Sequence, residues 1–266
     1  MDKNRIITNL HDIDELYLSL SSAVRRHPMA HFLVTLAFII VVISMKKYDL
    51  SGLLPFFVYP LSLIAIYGLA LRPILRRILW LLPLIVLIGV FNPLFDRHLV
   101  AAGGLLISAG WLSFGALLLK GLLTITAALL LIALIGISGI TSVLVNLRLP
   151  KIVITQLAFT YRYIHVLIEE AVWMITARQL RAPGHKGLSV KDFGSFIGGL
   201  FWRSWRRADN VYAAMRCRGF EGVMPTSTAQ HFAWSDLIYV AGWLGFFVLA
   251  NAYNLPRLIG GFMLMK

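Results

Sequence analysis

Residues Pro150–Gly222 read PKIVITQLAFTYRYIHVLIEEAVWMITARQLRAPGHKGLSVKDFGSFIGGLFWRSWRRADNVYAAMRCRGFEG, a polar segment between two strongly apolar regions. Close to half of the chain's 25 Lys and Arg residues lie in it. Two short sequences within it are similar: ARQLRA at residues 177–182 and AMRCRG at residues 214–219. Each places an Arg four residues after an Ala and directly before a small residue, at the end of a helix-like run. The repeat indicates a matched pair of functional arginines.

Helical periodicity predicts two amphipathic helices in this segment. The first begins near Pro150 and ends at Arg181, before the helix breaker Pro183. The second begins at Ser189, in a sequence that resembles a capping box, and ends at Gly219, the expected position of a helix stop. Both helices carry too much charge to cross a membrane, so we expect them to lie along its cytoplasmic face.

The rest of the chain has the composition of a polytopic membrane protein. Of its 266 residues, 59% are hydrophobic and 14% are charged, and the mean hydropathy is +0.78. The formal net charge of +13 is typical of membrane proteins that gather Lys and Arg in cytoplasmic loops, and it does not indicate nucleic-acid binding. Cys217 is the only cysteine, which excludes a disulfide within the chain and a cysteine-based zinc site.

Apolar runs predict an all-α bundle of about five transmembrane helices. A short amphipathic helix over residues 11–22 lies in an N-terminal cytoplasmic arm, residues 1–28. Four spans follow in residues 29–149, then the two polar helices in residues 150–231, and a last span and tail in residues 232–266. The predicted spans cover about residues 29–45, 50–71, 78–91, 105–140 and 232–255, with a loop over residues 92–104.

The long run over residues 105–140 could be one helix or two. If the run forms one transmembrane helix, every large basic cluster lies on the cytoplasmic side, as the distribution of Lys and Arg in membrane proteins favours. The C-terminus then lies outside the cell. We therefore expect one helix, although a count of six spans stays open. Lys120 then lies inside the membrane, where it serves either structural pairing or an ion pathway.

Catalytic motifs are absent from the sequence. There is no GxxxxGK[ST] phosphate-binding loop and no recognisable nucleophile motif. His27 and His31 are four residues apart, as metal ligands on a helix can be, but Pro28 starts the helix between them and no third ligand is obvious. Glu169 and Glu170 are adjacent and point in different directions, so pairing with Arg or water is the better interpretation. We expect no enzyme activity and no metal site.

The candidate site consists of the two helix ends. A guanidinium is a planar fork that binds carboxylates and backbone carbonyls through two hydrogen bonds. One cation at a helix C-terminus is explained by the helix dipole, whereas the same spacing at two ends favours a partner protein. Lipid-phosphate contacts and end-capping stay as an alternative. The candidate residues are Ala177, Arg178, Arg181, Ala214, Arg218 and Gly219.

The sequence resembles the transmembrane T component of energy-coupling factor (ECF) transporters, a family with an Ala-Arg-Gly-type signature at the end of each coupling helix. The signatures fall on residues 180–182 (LRA) and 217–219 (CRG). The first departs from the pattern, so Arg178 competes with Arg181 for its role. Residues 11–36 (HDIDELYLSLSSAVRRHPMAHFLVTL) and 157–170 (LAFTYRYIHVLIEE) resemble the cobalt-type branch, CbiQ.

This resemblance implies a non-catalytic subunit in a bacterial inner (plasma) membrane. It would join two CbiO-type ATPase subunits, which bind ATP, to a CbiM-type subunit that captures cobalt, with CbiN as a further partner. The chain itself would bind no cofactor, and Arg181 and Arg218 would each seat one helix end against an ATPase. The alternatives are a nickel or vitamin ECF transporter and a stand-alone secondary transporter. An enzyme of lipid metabolism is disfavoured, because the sequence lacks clustered Asp, Glu or His residues at the membrane face.

Overall fold

The computed structural model describes residues 26–46, 51–69, 71–95, 99–102, 105–181, 190–222 and 232–253. The predicted helix over residues 11–22 lies outside the described residues. In the described ranges the chain forms one 3₁₀ helix (Ser51–Phe57), eight α-helices and two strands: α1 (Pro28–Ser44), α2 (Val58–Tyr67), α3 (Leu71–Gly89), α4 (Phe91–Phe95), β1 (Leu99–Ala102), β2 (Leu105–Ser108), α5 (Ala109–Asn146), α6 (Lys151–Arg181), α7 (Val190–Cys217) and α8 (Trp234–Tyr253).

The predicted helical membrane bundle is confirmed. Among the residues that the structure describes, three helices are long and apolar enough to cross a membrane, over Ile74–Pro93, Ala109–Gly136 and Trp234–Ala252. Two shorter apolar helices cover Pro28–Ser44 and Gly52–Tyr67. These five apolar segments coincide with the five predicted spans, and the long run contains one candidate span, as predicted. The chain is therefore a multi-pass helical membrane protein.

Two boundaries differ from the prediction because of local chemistry. The segment predicted as one span over residues 50–71 divides into a 3₁₀ helix and α2. Pro55 lies in the 3₁₀ helix, and Pro60 lies in the first turn of α2, where a missing N–H costs no hydrogen bond. Helix α3 begins at Leu71, so the basic residues Arg72 and Arg76 are helical; arginine is a good helix former whose charged end can reach water from an apolar helix.

The prediction of a loop over residues 92–104 was incomplete. Helix α4 ends at Phe95, and β1 pairs with β2 as an antiparallel hairpin in which Leu99 is opposite Ser108 and Ala102 is opposite Leu105. Helix α5 consequently begins at Ala109, four residues later than the apolar run. All strand residues except Ser108 are apolar, so hydropathy alone could not separate the strands from the helix.

The chain divides into two compact units. Among the described residues, one unit begins at Ile137 and contains the last turns of α5 together with α6 and α7. The other contains α1 to α4, α5 as far as Gly136, and α8. We call them the helix-pair unit and the membrane unit.

An aromatic cluster joins the first and last helices of the membrane unit. Phe38 of α1, Tyr59 of α2 and Phe247 of α8 are fully buried. The ring of Phe38 lies 4.8 Å from that of Tyr59 and 5.5 Å from that of Phe247. The Tyr59 hydroxyl also shares a 2.7 Å hydrogen bond with Thr35. Buried aromatic rings contribute large apolar areas and preferred pair geometries, so this cluster holds α1, α2 and α8 together.

The two histidines are structural residues. His27 caps α1, because its Nδ1 accepts a hydrogen bond from the Met29 backbone N–H. His31 is fully buried, and its ring nitrogens share hydrogen bonds with the hydroxyls of Tyr67 (3.1 Å) and Tyr239 (3.4 Å). Within the described ranges, no group of three His, Cys, Asp or Glu side chains could hold a metal ion.

The starts of α1 and α8 are tied together by Asp236. Its two carboxylate oxygens accept hydrogen bonds from the backbone N–H groups of His27 (3.4 Å) and Ala233 (3.1 Å). Arg26 donates to the Ser235 carbonyl at 3.2 Å. A carboxylate in the first turn of a helix is also stabilised by the helix dipole. These contacts close the bundle between its first and last helices.

Close helix packing between α3 and α5 depends on two glycines. A Cβ added at Gly89 would lie 2.7 Å from the Phe114 ring, and one at Gly121 would lie 3.1 Å from Ile85. Small residues at such contacts allow helix backbones to approach each other inside a membrane. The pair is reciprocal, since each helix supplies one glycine and one large side chain.

Lys120 has a structural partner at the end of α1. Its Nζ donates hydrogen bonds to the carbonyls of Ile43 (3.3 Å) and Met45 (2.5 Å). Helix α1 has 17 residues and is therefore about 26 Å long, less than the roughly 30 Å apolar core of a bilayer. Its last carbonyls need a donor, and the negative end of its dipole favours a cation. These contacts support the structural interpretation of Lys120.

Replacing Lys120 with Met should lower the melting temperature of the protein in detergent. The variant keeps the length of the side chain but loses two hydrogen bonds from a charged donor, which typically contribute about 1.5–3 kcal/mol each. Lys120→Arg, which keeps a charged donor, is the matched control and should retain most of the stability. An unchanged melting temperature together with lost transport would instead support an ion pathway through Lys120.

Candidate partner-binding site on the paired helices

Helices α6 and α7 lie antiparallel in the helix-pair unit. The end of α6 meets the start of α7, where Arg178 forms an ion pair with Asp192. Near the other end, the ring of Phe159 lies 6.4 Å from that of Phe220, which follows α7. Between these contacts, a Cβ added at Gly199 would lie 3.1 Å from Met174, so the helices approach closely there.

One carboxylate anchors the middle of the pair. Arg203 donates to Glu170 Oε1 at 2.7 Å, and Arg207 donates to Glu170 Oε2 at 3.3 Å. Arg203 and Arg207 are four residues apart, so they lie on one face of α7. Glu170 is largely shielded from solvent, with 19% of its side chain exposed. The two ion pairs fix the register of α6 against α7.

The two candidate arginines of α6 have different environments. Arg178 is half-buried and committed to Asp192 within the unit. Arg181 is exposed at the last residue of α6. No acidic side chain among the described residues forms an ion pair with Arg181. Arg178 therefore holds the helix pair together, whereas Arg181 presents its charge outward.

Arg218 stands on a well-formed helix end. Gly219 has φ +80°, its N–H donates to the Arg216 carbonyl, and the Phe220 N–H donates to the Met215 carbonyl, both at 3.0 Å. These two hydrogen bonds define a Schellman motif, which requires a left-handed residue after the helix and therefore favours glycine. The glycine of the signature thus turns the chain directly after Arg218.

Among the described residues, no acidic side chain forms an ion pair with Arg218, and the Arg218 side chain is exposed. Ala177 and Ala214, each four residues before its arginine, are exposed too. Small residues there leave the surface next to each arginine uncovered. The site is therefore two open helix ends rather than one enclosed pocket.

The structure does not bring Arg181 and Arg218 together. Because the helices are antiparallel, the end of α6 lies beside the start of α7, at the opposite end from Arg218. Helix α7 has 28 residues, so its length is about 42 Å at a rise of 1.5 Å per residue. A single small acidic ligand cannot bridge that separation. Two binding surfaces, one for each helix end, fit the geometry.

An apolar groove of about 660 Å³ runs between the ends. Several of its aromatic side chains are substantially exposed, among them Phe201 at 63% and Trp205 at 56%. Exposed aromatic surface of this kind marks an interaction site in a protein that carries a charged face elsewhere. The aromatic residues that line it are Phe159, Tyr163, Phe201, Trp205, Tyr212 and Phe220.

The sequence did not identify the ion pairs that build the site. It indicated only that Glu169 and Glu170 pair with Arg or water, and it left Asp192 as a capping residue. The partners lie 14 to 37 residues apart along the chain, so no local pattern contains them. The clustering of arginines at one face of α7 was the available signal.

A multi-pass helical bundle with a separate antiparallel helix pair, whose ends each carry an open arginine, defines a membrane protein built to bind partners. The sequence matches the cobalt transport protein family CbiQ over residues 21–229. The chain belongs to this family, which confirms the resemblance found in the sequence.

Individual relatives agree with this membership. EcfT, the energy-coupling factor transporter transmembrane protein of Lactococcus lactis, is 25% identical over 232 residues, which cover 80% of this chain and 85% of EcfT. The nickel permease LarQ of Lactiplantibacillus plantarum is 29% identical over 92 residues, 35% of this chain and 34% of LarQ.

Uncharacterized protein MJ1571 of Methanocaldococcus jannaschii is 29% identical over 103 residues, 38% of this chain and 35% of MJ1571. The chain thus matches about a third of the length of MJ1571 and LarQ, and most of EcfT.

Proposed function

We propose that this protein is the transmembrane coupling subunit of an ATP-driven, ECF-type uptake transporter for cobalt. The observation that carries the proposal is the antiparallel pair α6–α7 with an open arginine near each far end. It supports the binding of two similar partner subunits, one at Arg181 and one at Arg218. Two nucleotide-binding subunits of the CbiO type would fill this role.

The partner surface would supply carboxylates or backbone carbonyls at each helix end. A guanidinium binds either group through two hydrogen bonds. Two hydrogen bonds fix the orientation of the contact better than one, so a displacement of the partner moves the helix end with it. When ATP closes the partner subunits, the two helix ends move with them. The helices work as levers because α-helices are stiff along their axes.

A second partner is required by the groove between α6 and α7. Its aromatic lining can pack against an apolar helical surface of another protein. A membrane subunit that captures the metal ion would present such a surface. A CbiM-type protein, together with CbiN, is the proposed occupant. The metal ion would travel through that subunit, so this chain holds no cofactor of its own.

The proposed orientation places α6 and α7 in the cytoplasm of a bacterial cell. Nucleotide-binding subunits act there, and the basic residues of this segment follow the distribution of positive charge in cytoplasmic parts of membrane proteins. The starts of α1 and α8, with Arg26, would face the same side.

Nickel is the second candidate substrate, because the relative LarQ is named a nickel permease. The experiment is uptake of radioactive cobalt or nickel into proteoliposomes that hold this chain with the nucleotide-binding and capture subunits of its host. We expect uptake that requires ATP and all subunits, with cobalt preferred. Uptake by this chain alone, without ATP, would contradict the proposal and favour a secondary transporter.

A further inference from the structure

Helix α5 is interrupted at one residue. Gly136 has φ 57° and ψ −172°, whereas the residues on both sides of it continue as helix to Asn146. This backbone conformation is essentially restricted to glycine, because a Cβ would collide with the neighbouring backbone. The break is therefore specified by the amino acid rather than by a proline or an inserted side chain.

The same residue marks a boundary in the packing of the chain. The division between the two compact units falls between Gly136 and Ile137. The helical piece before the break is anchored in the membrane unit, where Leu130, Leu134 and Ile135 are buried. The piece after it belongs with α6 and α7. Backbone geometry and packing thus point to the same position.

The break lies at the end of a candidate membrane span. That span of α5 covers Ala109–Gly136 and has 28 residues, about 42 Å at a rise of 1.5 Å per residue. The part of α5 before the break is therefore long enough to cross the apolar core of a bilayer. Hinges in proteins are commonly a few residues at the ends of elements that absorb the change in φ and ψ.

We propose that Gly136 is the hinge about which the helix-pair unit moves against the membrane unit during transport. The proposal rests on the proposed function, since it assigns the place where the levers α6 and α7 join the bundle.

The first test replaces Gly136 with Ala in the complete transporter. ATP-dependent uptake should fall by about tenfold or more, because a side chain at this position is strained in the broken conformation and favours a continuous helix. The nucleotide-binding subunits should still co-purify, since Gly136 is outside the helix ends. Gly242→Ala in α8 is the matched control, because a Cβ there meets nothing within 4 Å, and it should transport normally.

The second test measures the movement in a chain that keeps Gly136. In a Cys217→Ser background, spin labels on Ile66→Cys in α2 and Ser195→Cys in α7 report one distance across the two units. We expect that distance to change between the nucleotide-free and ATP-bound complexes. In Gly136→Ala the change should be much smaller.

Two results would overturn the hinge. One is normal uptake by Gly136→Ala, and the other is an unchanged label distance in a chain with Gly136 that transports normally. The second result decides the matter even if Gly136→Ala does not fold. Failure of the proposed function has a different signature, because the wild type would then show no ATP-dependent uptake and no bound nucleotide-binding subunits.

Discussion

Arg218→Glu should abolish coupled uptake while leaving the protein folded in the membrane. Arg218 is exposed, has no acidic partner within the described ranges, and follows the last residue of α7 at a Schellman motif. Its removal therefore costs little inside this chain. Against an acidic or carbonyl-rich partner surface, charge reversal loses the contact and adds repulsion.

The expected decrease in uptake follows from the energetics of charge pairs at protein interfaces. Truncating one member of a hydrogen-bonded charge pair at an interface costs about 2–5 kcal/mol, or roughly 30-fold and more in affinity. Uptake driven by ATP should fall by at least that factor. Arg218→Lys keeps the charge but loses the planar fork, so it should be intermediate.

Arg162→Glu provides the matched control, since Arg162 is exposed on α6 and lies outside both arginine-containing sequences, residues 177–182 and 214–219. The control should retain uptake and bind the nucleotide-binding subunits normally. The measurement is uptake in proteoliposomes, with the amount of protein inserted as the reference. Normal uptake by Arg218→Glu would remove the assigned role of this residue.

Glu170→Arg should separate α6 from α7 and strongly reduce transport. Glu170 is the shared partner of Arg203 and Arg207, so the variant replaces two ion pairs with three like charges in one place. Ion pairs at partly exposed sites contribute only about 0–1 kcal/mol each. Repulsion adds to that loss, and the helix ends lose their fixed register.

A charge exchange distinguishes this account from a general folding defect. Combining Glu170→Arg with Arg203→Glu restores an attractive pair between the helices, and the double variant should regain part of the lost uptake. The direct measurement is limited proteolysis of α6 and α7 in detergent, which should be faster in Glu170→Arg and slower again in the double variant. Equal proteolysis of all three proteins would contradict a stabilising role for Glu170.

Local sequence signals were sufficient for the two long amphipathic helices. The predicted ends near Pro150 and at Arg181 agree with α6, Lys151–Arg181. The predicted end of the second helix at Gly219 agrees with a helix that closes through Gly219 itself. Helix caps and breakers are properties of a few adjacent residues, so they can be recognised without knowledge of the fold.

Apolar segments were less informative where their secondary structure changes without a change in hydropathy. Strand β2 and helix α5 form one apolar run, so hydropathy showed no boundary between them. Pro55 and Pro60 lie in residues 51–67, and the effect of a proline on a helix depends on whether it falls in the first turn. The hydrophobic periodicity of so short a run does not show where the helix begins, and so does not show whether a proline lies in its first turn.

Residue roles that depend on distant partners could not be predicted. Lys120 binds carbonyls 75 and 77 residues away, and Arg178 is distinguished from Arg181 only by the position of Asp192. The sequence left both questions open for this reason. The assignment of Arg181, rather than Arg178, as the arginine that binds a partner stays a prediction.

The most direct test of the central claim is co-purification in mild detergent of the tagged wild type beside an Arg181→Glu, Arg218→Glu double variant. We predict that the wild type elutes with two nucleotide-binding subunits and a small membrane capture subunit. The double variant should lose the nucleotide-binding subunits and keep the capture subunit, since the proposed docking site of that subunit is the groove between α6 and α7. Nucleotide-binding subunits retained in full by the double variant, or absent from the wild type, would contradict the coupling role.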